Sequence, residues 1–317
     1  MSAKQQMRRE VSMLCLIFML YMVVVGLGNG ITTLLDLMGI NLNGIGSAAS
    51  GSNYVDMLAY LGTYTLVFVA PLAVFFIVHK KEKTTDYFYL NRAPKLGITL
   101  LGAIGVLAIN YTFTVVSEAG EIIFTSLGVG GNINDLLQVS DDPIANVLYF
   151  FILVIAPALL EEFCFRGAIC GRLARYNRTA AVLFSSVLFS LAHMTVEQIP
   201  FALAAGLLMG YVYLRTGSIW STVIIHAVNN GFAFGSEYLY HCYDGAMSMR
   251  RVYMLCWAGI FLIGLVAMVI LGFTHKDREE EPMLALAPSL KAGASSPLFI
   301  ICCAGAVAAT VAAVPLV

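Results

Sequence analysis

Residues 156–170 read Ala-Pro-Ala-Leu-Leu-Glu-Glu-Phe-Cys-Phe-Arg-Gly-Ala-Ile-Cys. They lie within an apolar run, about 144–172, long enough to cross a hydrocarbon core of about 30 Å. Glu161, Glu162 and Arg166 are therefore expected at membrane depth, where charge is costly and marks a functional site by default. The surroundings agree. Of 317 residues, 59% are hydrophobic and 12% charged, against about a quarter charged in a soluble domain, and mean hydropathy is +0.83. The chain reads as an all-α, polytopic transmembrane helical bundle. A net charge of −1 supplies no basic stripe to neutralise phosphates, so nucleic acid is excluded as a partner.

Runs near 20 apolar residues fall at about 11–35, 55–78, 96–116, 144–172, 179–194, 199–214, 218–239 and 252–273. These make about eight spans. The first follows Lys4, Arg8 and Arg9 like a signal peptide, but it is too long and lacks a small-x-small cleavage site, so it reads as a retained span. The fifth and sixth are short and closely spaced, as in a helical hairpin. Segment 118–142, with Glu118, Glu121, Asp135, Asp141 and Asp142, reads as an outer loop with a solvated acidic face. Residues 279–296 read as a linker, and the uncharged 298–317 has the length of a ninth span. With the N-terminus cytoplasmic, 16 of the 18 basic residues fall inside and only Arg250 and Arg251 outside, as the positive-inside rule requires. The protein is expected in the membrane as a multi-pass protein, the plasma membrane if bacterial.

The seven cysteines show neither zinc-finger nor redox spacing. Polar residues instead recur on the later spans: His193 closing Phe189-Ser-Leu-Ala-His193, and His226 and Asn230 in His226-Ala-Val-Asn-Asn230. Residues four apart share a helix face, so Glu162 and Arg166 pair, leaving Glu161 free. At about 1.5 Å of rise per residue, Glu161, His193, His226 and Asn230 reach overlapping depths. A carboxylate and a histidine sharing a water can take its proton and return one to a leaving group. A histidine and an asparagine amide can donate to a developing oxyanion. Alternatively, Glu161, His193 and His226 would hold a zinc ion with an open position for water. The same groups could instead simply tie helices together. His79, His241 and His275 sit in membrane-edge segments and read as solvated. Trp220 fits the interfacial aromatic belt.

The ordered trio Glu-Glu-x-x-x-Arg (161–166), Phe-x-x-x-His (189–193) and His-x-x-x-Asn (226–230) resembles the CPBP family, also called Abi or type II CAAX prenyl endopeptidase-like proteins. The resemblance covers roughly 144–235. It implies an intramembrane endopeptidase acting on peptide or lipidated protein substrates at the membrane lipid. Glu161 and His193 would activate water, His226 and Asn230 would hold the oxyanion, and Glu162 and Arg166 would support them. Both zinc-dependent and metal-independent mechanisms are attributed to the family. The chain then divides into N-terminal helices and outer loop (1–143), a catalytic membrane core (144–240), a final clear span (241–278), and a linker with an Ala-rich apolar tail (279–317). The rival functions are a non-enzymatic bacteriocin-immunity or membrane scaffold protein and a transporter. The latter is disfavoured because no internal repeat is visible. The sequence carries no signature of an oligomeric state.

Overall fold

A computed structural model describes residues 1–37, 54–80, 88–126, 138–196, 198–243, 247–273 and 282–312. Its elements are all helical: α1 (Ala3–Leu37), α2 (Tyr54–Val78), α3 (Leu96–Ser126), α4 (Pro143–Ala174), α5 (Arg178–Ala192), α6 (Gln198–Thr216), α7 (Ile219–Tyr243), α8 (Met247–Phe273), α9 (Leu286–Ala294) and α10 (Pro297–Ala312). Among the described residues, five helices are long and apolar enough to cross a membrane: α2, α3, α4, α6 and α8. The bent pair α9–α10, which turns by 68°, would make a sixth. The expected count of about eight is thus not confirmed. Helix α5 has only 15 residues, and α7 carries His226, Asn229 and Asn230, which lower its hydropathy.

Local chemistry sets the ends of the helices that carry the site. Pro143 opens α4, where its missing N–H costs nothing, and the Asp142 carboxylate accepts from the Ile144 and Ala145 amides. Asp142 is therefore a helix cap rather than part of a solvated face. Glu118, Glu121 and Asp135 lie outside the residues whose side chains are described. The N-cap of α5 is Asn177, accepting from Ala180 N at 2.9 Å. Helix α6 ends at Gly217, whose φ of 60° is open to glycine without steric penalty.

Helices α5 and α6 form the expected hairpin. At Gly206 a Cβ would sit 3.2 Å from Ser186 Cα, and at Gly210 one would sit 3.0 Å from Val182 Cγ1. Small residues four apart let two backbones approach this closely. Helices α5, α6 and α7 pack around α4, α3 backs α6 and α7, and α2 lies along α4. The apolar core runs between α1, α2, α4, α5 and α6.

Two sequence-based expectations are corrected at one edge of the bundle. His79 is buried rather than solvated, because its Nδ1 donates to Phe75 O at 2.9 Å and its Nε2 meets Glu10 Oε1 at 3.1 Å. Glu10 also accepts from Arg172 Nε at 2.6 Å and Arg175 Nη2 at 3.3 Å, tying α1, α2 and α4 together. Residues 286–294, read as linker, form a helix that packs with α10 against α1 and α5. Asn177 Nδ2 donates to Leu284 O at 3.1 Å, and Leu284 N to Tyr176 O at 3.1 Å, fastening that segment to the α4–α5 turn. His241 stays at the surface beside Asp141, at 3.0 Å. His275 lies outside the described residues.

Candidate active site

Helix α4 is not uniform. Two π-helical stretches, Phe151–Ile155 and Phe163–Gly171, flank the α-helical turn Ala156–Glu162 that carries both glutamates. π-Bulges add a residue to a turn, re-aim the side chains beyond it and recur at functional sites. Pro157 contributes to the irregularity, because it has no N–H to offer the carbonyl four residues back, which is Leu153. Asn230 Nδ2 donates to that carbonyl at 2.9 Å.

Glu162 and Arg166, both fully buried, pair at 2.9 Å as their spacing predicts. Spacing along one helix does not reveal the third member. His226 Nδ1 lies 2.9 Å from the same oxygen, Glu162 Oε1. Since a carboxylate oxygen here can only accept, Nδ1 carries the proton and the ring's other nitrogen is left for chemistry. That nitrogen, Nε2, lies 3.9 Å from Glu161 Oε2. Glu161 is 9% exposed. Its Oε2 is buried with no hydrogen-bond partner in the protein, and its Oε1 accepts from the Tyr64 hydroxyl. The two adjacent carboxylates thus differ in their partners: Glu162 Oε1 takes both Arg166 and His226 while its Oε2 is buried without a partner, whereas Glu161 is held by a phenol and turns its unpartnered Oε2 toward His226 Nε2.

His193 arrives from the end of α5. Its Nδ1 donates to Phe189 O at 2.9 Å, which leaves the lone pair of the neutral ring on Nε2. Phe189 is the hub of this side of the site, with ring centroids 4.9 Å from His193 and 6.1 Å from His226. Its face also receives the Arg166 guanidinium at 4.2 Å, a cation–π contact. Glu161, Glu162, Arg166 and His226 are therefore in one cluster, with His193 joined through Phe189. Asn230 lies a turn beyond His226, its amide engaged with Leu153.

Sequence reasoning missed Tyr64 and the amides behind Asn230. Asn229 Nδ2 donates to Asn230 Oδ1 at 3.0 Å, and Asn110 Nδ2 on α3 donates to Asn229 Oδ1 at 2.9 Å. The available signals were a lone asparagine in the span 96–116 and Tyr60, Tyr64 and Phe68 recurring every fourth residue in the span 55–78. Among the described residues no three His, Cys, Asp or Glu side chains gather closely enough to hold a metal ion, while the bond from His226 Nδ1 to Glu162 leaves Nε2 free, as it is in a metal-ligating histidine.

An all-helical membrane protein with a buried glutamate–histidine cluster has the makings of a membrane-embedded hydrolase, and comparison with known proteins gives the class. Residues 143–232 match the Rce1-like family, described as type II CAAX prenyl endopeptidase Rce1-like, which bears out the resemblance carried by the three motifs. The chain is 27% identical over 183 residues to "Putative membrane peptidase YdiL" of Bacillus subtilis, covering 56% of this chain and 72% of that protein. It is 28% identical over 190 residues to "Membrane-embedded CAAX protease MroQ" of Staphylococcus aureus, covering 58% and 75%. No solved structure matches. These similarities indicate a CAAX-protease-like membrane peptidase.

Proposed function

We propose that the protein is an intramembrane endopeptidase that hydrolyses membrane-associated or lipidated peptide and protein substrates, of the CAAX type that one relative's name specifies. The observation that carries this reading is the open Oε2 of Glu161 facing His226 Nε2 at 3.9 Å. A water held by that oxygen loses a proton to Glu161, with His193 Nε2 as the second acceptor. Its oxygen attacks the peptide carbonyl, and the proton passes to the departing amine as the C–N bond breaks. The oxyanion takes an N–H from the imidazolium form of His226 and the second N–H of the Asn230 amide. All groups in this scheme are side chains of the protein.

The test uses purified protein in lipid vesicles and quenched fluorogenic peptides ending in a CAAX sequence, with and without a prenylated cysteine. Wild type is expected to cleave at least one of them. Glu161→Gln should lower kcat by about 10²–10⁴-fold, the usual worth of a general base, without a change in thermal unfolding. A Glu161→Gln protein that cleaves at the wild-type rate would sink the assignment.

A further inference from the structure

Tyr64 stands on α2, outside the segment matched by the family, yet its hydroxyl donates to Glu161 Oε1. A carboxylate can turn its plane about its terminal torsion, whose energy profile is broad, so an unheld carboxylate spends time with neither oxygen aimed at a given partner. With Oε1 held by a phenol, Oε2 is the oxygen that remains directed to His226. The phenol is itself held. Tyr60 stacks on it with centroids 6.2 Å apart and planes 15° from parallel, and Phe68 packs on it at 5.0 Å. Phe68 also touches Tyr21 of α1 at 5.3 Å. The Tyr21 hydroxyl donates at 2.7 Å to the carbonyl of Ala192, the residue before His193. One aromatic cluster from the first two helices thus reaches the backbone at His193 and the side chain of Glu161.

We propose that Tyr64 is a positioning residue for the hydrolytic reaction: its O–H fixes the plane of the Glu161 carboxylate, so that an oxygen stays aimed at the attacking water. The proposal rests on the protease reading above. It assigns to the N-terminal helices a part in catalysis that none of the three sequence motifs contains. The hydroxyl does not touch the reacting atoms. Its loss leaves substrate binding intact and lets the carboxylate rotate away from its productive pose.

Four proteins decide it in the vesicle assay: wild type, Glu161→Gln, Tyr64→Phe and the double variant. Tyr64→Phe keeps the ring and removes one hydrogen bond to a charged group, which corresponds to a fall in kcat of about ten- to a hundredfold. KM should not change. In the double variant the Tyr64 substitution should add nothing to the Glu161→Gln loss, since two groups acting through one interaction are non-additive. Wild-type kcat in Tyr64→Phe, beside an inactive Glu161→Gln, overturns the positioning role and leaves the protease reading standing. A loss in Tyr64→Phe that recurs unchanged in the Glu161→Gln background also overturns it, because it marks a structural tyrosine. Full activity of Glu161→Gln, or a wild type that cleaves neither peptide, removes the protease reading and this proposal with it.

Discussion

Glu161 and Glu162 are neighbours in sequence and nearly opposites in chemistry. Glu162 Oε1 takes both Arg166 Nη1 and His226 Nδ1 at 2.9 Å, in a fully buried setting. Removing it strands a guanidinium with no exposed surface. Glu162→Ala should therefore destabilise the fold by about 3–5 kcal/mol, read as a lower midpoint in thermal or denaturant unfolding of the detergent-solubilised protein. An unchanged midpoint would contradict the structural role. The Glu162–Arg166 half of this cluster is legible in the sequence, because i,i+4 spacing on one helix dictates the contact. The His226 half is not, because it depends on how α7 rolls against α4. His79 teaches the same point: beside Lys80 and Lys81 it looks solvated, yet Glu10, a partner 69 residues away, makes its burial tolerable.

At the scale of elements, α4 is shaped as much by what its backbone omits as by its side chains. Pro157 withholds an N–H from Leu153 O, and Asn230 supplies one at 2.9 Å, so α7 completes the hydrogen bonding of α4. The α5–α6 hairpin matters differently, since it delivers His193. Because a Cβ at Gly206 would lie 3.1 Å from Ser186 Cβ and 3.2 Å from its Cα, Gly206→Leu must push α5 outward. The expected cost is about 1–3 kcal/mol of stability, accompanied by reduced cleavage as α5 carries Phe189 and His193 away from His226 and Arg166. Unaltered kinetics and unfolding in Gly206→Leu would show that the helices have room to spare. The hairpin itself was visible in two short apolar runs. Its intimacy was not, since Gly206 and Gly210 acquire meaning only once Ser186 and Val182 are placed opposite them.

At the scale of the molecule, the site is assembled from α2, α4, α5 and α7, while α9 and α10 lie against α1 and α5. Deleting residues 282–317 removes the Asn177–Leu284 and Ser12–Ser296 hydrogen bonds, at 3.1 and 2.9 Å, and uncovers part of α1. The truncated protein should unfold at a lower temperature yet keep Glu161-dependent cleavage in vesicles. Complete loss of cleavage in a folded truncation would mean that the C-terminal helices belong to the catalytic unit.

By itself the sequence determined that this is a helical membrane protein, which residues are polar at depth, and that Glu162 pairs with Arg166. Hydropathy and the 3.6-residue repeat are local properties, readable without knowing what packs where. Only the tertiary structure decided that His226 Nδ1 belongs to Glu162, that Tyr64 holds Glu161, and that one Glu161 oxygen stays open in the stretch 156–170. Each of those contacts joins residues tens of positions apart, and its geometry follows from helix rotation, π-bulges and close glycine packing rather than from spacing along the chain.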